Sequence, residues 1–129
     1  MRKGFFLLAA LSGFMSVVLG AFAAHGLKTV ASPEMIVIFN LGVEYQFYHT
    51  FALIAVAFSG HWFRSRLLDW AGYLFIVGMI LFSGSLYIYA LFDTQWTGPI
   101  TPIGGVCFLV GWLLIALTVW RNRVVELDG

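Results

Sequence analysis

The sequence predicts an all-α integral membrane protein, a four-helix transmembrane bundle with both termini in the cytoplasm. Three observations predict it. Of 129 residues, 61% are hydrophobic and 10% charged, against roughly 45 to 50% and 25% in an ordinary soluble domain; mean hydropathy is +0.94. Four apolar stretches are long enough to cross a bilayer core about 30 Å thick, which takes about 20 helical residues. Cations collect at one set of their ends. A chain this short and apolar leaves no room for a second, polar domain, so 1–129 reads as one membrane-embedded unit. With 7 Lys plus Arg against 6 Asp plus Glu there is no basic surface to hold nucleic acid. The single cysteine, Cys107, excludes an internal disulfide and any cysteine-based metal cluster.

The first span is expected over about 4–25, interrupted only by Ser12 and Ser16 and closed by His25-Gly26. Its Arg-Lys start and Ala21-Phe22-Ala23 could suggest a signal peptide, but the apolar run is too long for one. Ser32-Pro33-Glu34 then reads as a helix start: a Ser N-cap, Pro where the missing N–H costs nothing, and Glu at the positive dipole end. The second span follows over about 34–60, a polar loop runs from His61 to Asp69, and the third span covers about 70–92. The segment from Asp93 to Pro99 breaks it. The fourth span, about 102–120, stops at Arg121-Asn122-Arg123.

Orientation follows from the cations, because cytoplasmic segments retain Lys and Arg. Arg2, Lys3, Arg64, Arg66, Arg121 and Arg123 fall on one side and only Lys28 on the other. Trp62, Trp70 and Trp120 are placed at the inner interface and Trp96 at the outer one, with Trp112 alone in mid-span.

Lipid solvates Leu as well as a neighbouring helix does, so spans associate through close backbone approach and interhelical hydrogen bonds. Ser12, Ser16, Gly20 and Ala24 recur every four residues and predict a packing groove on the first helix. Gly72, Gly78 and Gly84 on the third, and Pro102, Gly104, Gly105, Cys107 and Gly111 on the fourth, predict further packing positions.

Glu44 is the only acid well inside a span, and a charge at the bilayer centre costs roughly 2.5 to 3.5 kcal/mol on the insertion scale. The second helix would be about 40 Å long, which puts Glu44 about 5 Å below the outer boundary. At about 100° per residue, Asn40, Glu44 and Tyr48 share one face while Tyr45 and His49 make another, with Glu44 and His49 about 140° apart. Polar groups from Asn40 to Thr50 cover most of the circumference, so this helix is expected at the centre of the bundle. His25, Ser83, Ser85 and Thr101 are expected at the same outer-leaflet level, giving a candidate cluster of His25, Glu44, Tyr45, Gln46, Tyr48, His49, Ser83, Ser85 and Thr101.

Three readings of that cluster stand together. It specifies helix register by internal hydrogen bonding; or it lines an outward pocket for a small solute, lipid headgroup or proton, with Glu44 titrating; or His25, Glu44 and His49 gather round a metal. No HxxxH, HExxH or ExxH spacing supports the last, so no metal and no cofactor are expected. Ser83 and Ser85 lack a paired base, so no enzymatic activity is expected either.

The segments Gly20-Ala-Phe-Ala-Ala-His-Gly-Leu27, Tyr45-Gln-Phe-Tyr-His-Thr50, Phe82-Ser-Gly-Ser-Leu-Tyr87 and Ile100-Thr-Pro-Ile-Gly-Gly105, with Gly111-Trp112, resemble the domain of unknown function 423 family, the YgdD-like small inner-membrane proteins. The resemblance runs through essentially the whole chain in the same order. It departs at Ala23-Ala24-His25, where family members usually read Gly-Ala-His. It implies a four-span protein of the bacterial cytoplasmic membrane and no established activity. The expected role is a binding or transport component of that membrane; the alternative is a structural or assembly subunit whose cluster serves packing only. The partners expected are the lipid bilayer and a second copy or a larger membrane complex.

Overall fold

A computed structural model describes residues 2–121. Four long helices run back and forth: α1 (Lys3–Ala24), α2 (Pro33–Ser59), α3 (Arg66–Phe92) and α4 (Ile100–Arg121). Arg123 and Asn122, read as part of the terminal stop, lie outside the described residues. A single 3₁₀ turn, Gly26–Thr29, follows α1. Neighbours are antiparallel: Gly13 and Gly20 stand against Thr50 and Val43, and Gly78 and Gly111 against Phe108 and Phe75. One end of the bundle therefore carries Arg2, the α2–α3 loop and Arg121, and is here called the basic end.

Helix starts follow their capping chemistry. Ser32 accepts from the Met35 N–H at 3.3 Å with Pro33 in the first turn, as the sequence predicts. Ser65 does the same for the Leu67 N–H at 3.1 Å, so α3 begins at Arg66, four residues before the expected start. Arg66 and Asp69 look like loop residues only because they are charged; Asp69 sits in the first helical turn and pairs with Arg2, Nε to Oδ1 at 2.5 Å. α4 likewise starts before Pro102, whose ring is tolerated in a first turn that lacks intrahelical acceptors. α3 ends at Asp93, which is left-handed at φ 51° and caps Tyr89 O through its N–H.

α3 is not uniform. Met79–Ser83 forms a π turn before α-helix resumes at Gly84. The extra residue rephases the helix: Phe75 and Gly78 meet α4 before it, whereas Ser83 at its end and Tyr87 beyond it meet α2. α2 lies between α1 and α3, and α4 packs along α3 with side chains reaching α2.

Two apolar cores result. Phe5, Ala9, Leu53, Val56, Leu68 and Phe75 belong to the one nearer the basic end; Ala23, Leu27, Phe39 and Ala90 form the other. Between them lies a belt of buried polar side chains that includes Ser16, Gln46, His49, Thr50 and Ser83. Three helical stretches among the described residues are long and apolar enough to cross a membrane: Lys3–Thr29, Arg66–Phe92 and Ile100–Arg121. α2 matches them in length at 27 residues but carries the belt's Gln46, His49 and Thr50.

Candidate functional site: a polar belt between two lipid-facing clefts

The belt is built on Gln46, 6% exposed. Its Nε2 donates to Ser12 O and Ser12 Oγ, both at 3.2 Å, and its Oε1 accepts from the Tyr87 hydroxyl at 2.5 Å. Thr50 Oγ1 donates to Gln46 O at 2.8 Å and lies 2.8 Å from Ser12 Oγ. With the Thr50 proton used there, Ser12 supplies the proton between the two hydroxyls. The donors therefore run in a ring: amide to Ser12, Ser12 to Thr50, Thr50 back to the Gln46 carbonyl. Such a ring leaves none of the Gln46 side-chain groups unpaired in a low-dielectric interior, where an unpaired one is costly. It joins α1 to α2, and Tyr87 adds α3.

His49, 5% exposed, makes the second half of the belt. Its Nδ1 lies 2.8 Å from Tyr45 O, which can only accept, and its Nε2 lies 3.1 Å from Trp112 Nε1, which can only donate. Those partners assign the neutral Nδ1–H tautomer. The imidazole is stacked on Phe108 with centroids 3.5 Å apart and planes 10° apart. Ser83 donates to Gly42 O at 2.7 Å, and Ser85 bonds Thr101 across the α3–α4 seam.

Each half of the belt borders a cleft. α1 and α3 close on one another near the basic end, where the Phe5 ring occupies the space a Cβ on Gly72 would take. Beyond that closure lies a cleft of about 440 Å³ whose walls include Leu8, Leu11, Met15 and Ile80 and which reaches Ser12, Gln46 and Tyr87. On the α2–α4 side a second cleft, of about 420 Å³, is lined by Tyr45, His49, Pro102 and Trp112 among others. Leu11, Met15, Ile80, Leu109 and Trp112 are all exposed, so both clefts open on the outer surface of the bundle.

The expected cluster is thus divided. Gln46, His49, Ser83 and Ser85 are buried and Tyr45 is half-buried, but Glu44, Tyr48 and His25 are exposed. Glu44 lies on a face of α2 turned away from the belt, and Tyr48, one turn on, is 55% exposed. The position of α2 between α1 and α3 agrees with expectation; the inference that no polar face of it is left uncovered does not hold. The level also differs. Gln46, His49 and Thr50 stand beside Ser12, Met79 and Trp112, near the middles of α1, α3 and α4, whereas Ser85 and Thr101 lie toward the end away from the basic one. The outer-leaflet level read for Glu44 does not extend to residues two to six positions further along α2, because a rise of about 1.5 Å per residue carries them to the middle of α1, where Thr50 faces Gly13. Among the described residues no three His, Cys, Asp or Glu side chains come together, and His25, Glu44 and His49 are not gathered.

Of the packing positions, Ser16 is buried, Ser12 and Gly20 are half-buried, and Ala23 rather than Ala24 completes the α1 face. Gly104 and Gly111 admit no side chain: a Cβ would stand 2.4 Å from Phe82 N at the first and 2.6 Å from the Phe75 ring at the second. Gly105 is in ordinary contact range of Phe82 at 3.9 Å, Pro102 borders the second cleft, and Gly84 faces open space. Tyr87, Met79 and Gly42 carry roles that sequence reasoning did not single out. Their signal was weak, since each is an ordinary apolar-span residue until the π turn brings α3 into phase with α2.

Residues 19–105, which include Gln46, His49, Ser83 and Tyr87, match the family described as "Protein of unknown function (DUF423)". The chain belongs to the DUF423 family. Among the relatives it resembles, the UPF0382 membrane protein SSP2132 of Staphylococcus saprophyticus is 42% identical over 92% of this chain and 98% of its own length. The UPF0382 membrane protein of Haemophilus influenzae is 39% identical over 95% and 98%, and the UPF0382 inner membrane protein YgdD of Escherichia coli is 44% identical over 89% and 88%. No solved structure matches the chain. This DUF423 chain is a small multi-pass membrane protein, and the family description names no function.

Proposed function

We propose that this protein is a binding component of the cytoplasmic membrane that takes up a lipid-soluble ligand between α1 and α3. The observation that carries this reading is the 440 Å³ cleft, apolar along its walls and polar where it meets Gln46, Tyr87 and Ser12. Its size lies in the range of about 300 to 1,000 Å³ typical of small-molecule sites, and apolar walls with a few convergent polar groups are the usual composition of such sites. A ligand with a long apolar part and one hydroxyl suits it, entering sideways from the bilayer with its hydroxyl donating to the Tyr87 oxygen, whose own proton goes to Gln46. No covalent step is assigned to it. In this reading all four helices cross the bilayer, α2 sheltered by its neighbours, and the lopsided cations hold both termini in the cytoplasm.

The test is native mass spectrometry of the gently extracted protein beside its Met15→Trp variant, which fills the cleft from an exposed position. A discrete added mass on the parent, absent from the variant at unchanged helicity and melting temperature, is expected. Equal retention by both, or a bare parent, would sink the reading.

A second reading, an assembly subunit, is favoured by Glu44. Val37, Leu41, Glu44, Tyr48, Phe51 and Phe58 are all exposed at alternating steps along α2. A carboxylate there faces hydrocarbon unless something covers it. A second copy related by a twofold axis supplies a Tyr48 hydroxyl to each Glu44. Light scattering in detergent should then give a dimer for the parent and a monomer for Tyr48→Phe or Glu44→Gln; an unchanged mass in all three removes this reading.

A further inference from the structure

The basic end carries a third concavity, of about 460 Å³, formed where the start of α1 meets the α2–α3 loop and the start of α3. Three arginines line it, Arg2, Arg64 and Arg66, against one acidic residue, Asp69. Asp69 is already taken by Arg2, which also donates from Nη2 to Ser65 O at 3.2 Å. Arg64 and Arg66 are exposed and form no ion pair among the described residues. Among the described residues, the cavity therefore has a fixed cation on one wall and two cations without counter-charge on the others.

Orientation of the chain in the membrane requires cations at this end but no concavity, and no anchored one. Here Arg2 is held by two bonds at the rim, its own backbone N–H is tied to Ala57 O at 2.9 Å, and the N-terminus of α3 adds its positive dipole end. Guanidinium groups bind phosphate oxygens in pairs of parallel hydrogen bonds. Trp62 and Trp70, both exposed, flank this end at the level where indole rings sit between headgroups and acyl chains. A phosphate held among Arg2, Arg64 and Arg66 would thus stand at headgroup height.

We propose that this pocket binds a phosphate group, supplied by the headgroup of an anionic membrane lipid. Basic pockets between helix ends are a recognised way of holding such headgroups. The site is independent of the cleft between α1 and α3 and of whatever that cleft holds.

The experiment is a melting curve of the full chain, stripped of lipid in neutral detergent, after addition of phosphatidylglycerol, phosphatidylcholine or inorganic phosphate. The parent, Arg64→Gln/Arg66→Gln and Arg64→Lys/Arg66→Lys are compared. Phosphatidylglycerol should raise the parent's melting temperature by about 4 °C or more, phosphatidylcholine should not, and the glutamine variant should lose the shift while melting like the parent in phosphatidylcholine. The lysine variant should keep a smaller shift, since charge survives and the paired geometry does not. An equal shift from inorganic phosphate, also lost in the glutamine variant, would keep the phosphate site but assign it to a soluble anion. No shift from either phosphate source, or a shift the glutamine variant retains, would overturn the proposal.

Discussion

Tyr87 shows how one hydroxyl can define a contact between helices. Its ring lies where a Cβ on Gly42 would come within 2.7 Å, and its proton goes to Gln46 Oε1. Tyr87→Phe keeps the ring and leaves that oxygen without its donor. We expect a loss of about 1 kcal/mol, the usual net worth of one such bond, read from the unfolding midpoint in detergent; an unchanged midpoint would mean another donor takes the place. No spacing pattern links Tyr87 to Gln46, and the sequence alone shows only a tyrosine closing the segment Phe82-Ser-Gly-Ser-Leu-Tyr87. His49 behaves differently. Its Trp112 partner is 63 residues away, and nothing in the spacing links an imidazole on α2 to an indole on α4. Removing each in turn, as His49→Phe, Trp112→Phe and the pair, should give a coupling of about 0.5 to 1.5 kcal/mol, within the range for hydrogen-bonded neighbours in membranes. Strictly additive losses would show that the stack on Phe108, not the bond, holds the ring.

At the scale of elements, α3 separates two kinds of glycine that look alike in sequence. Gly84 has nothing within 4 Å of an added Cβ, while Gly104 on α4 would meet the α3 backbone at Phe82 N. Gly84→Ala should therefore be neutral or slightly stabilising, and Gly104→Ala should cost about 1 to 3 kcal/mol as the helices are forced apart. Equal melting temperatures for the two variants would refute the close α3–α4 packing. The N-caps Ser32 and Ser65 illustrate a related point. Ser32 was legible because Pro33 and Glu34 follow it; Ser65 was not, because charged Arg66 and Asp69 mimic a loop until Arg2 is seen to pair with Asp69.

For the whole molecule, the least apolar helix is the one with partners on both sides. α2 carries a polar belt because α1, α3 and α4 satisfy its side chains, so its membrane insertion should depend on them. In a translocon insertion assay, segment 33–59 alone should insert less efficiently than segment 3–24; insertion as good as α1 would mean the belt needs no neighbours. A reporter fused after residue 121 should read as cytoplasmic, as the excess of arginine at the basic end requires.

Composition and hydropathy alone determined that this chain is helical and belongs in a membrane, because the demand for about 20 apolar residues per crossing leaves a long, unambiguous record. Helix order and approximate ends followed from the same record. Which polar groups meet was decided only by tertiary structure. Spacing along one helix gives an angle and a height on that helix, but not the offset of its neighbours or the rephasing by a π turn. The packed bundle leaves Glu44 outside, sets His49 at mid-height beside Trp112, and holds a cleft beside Gln46.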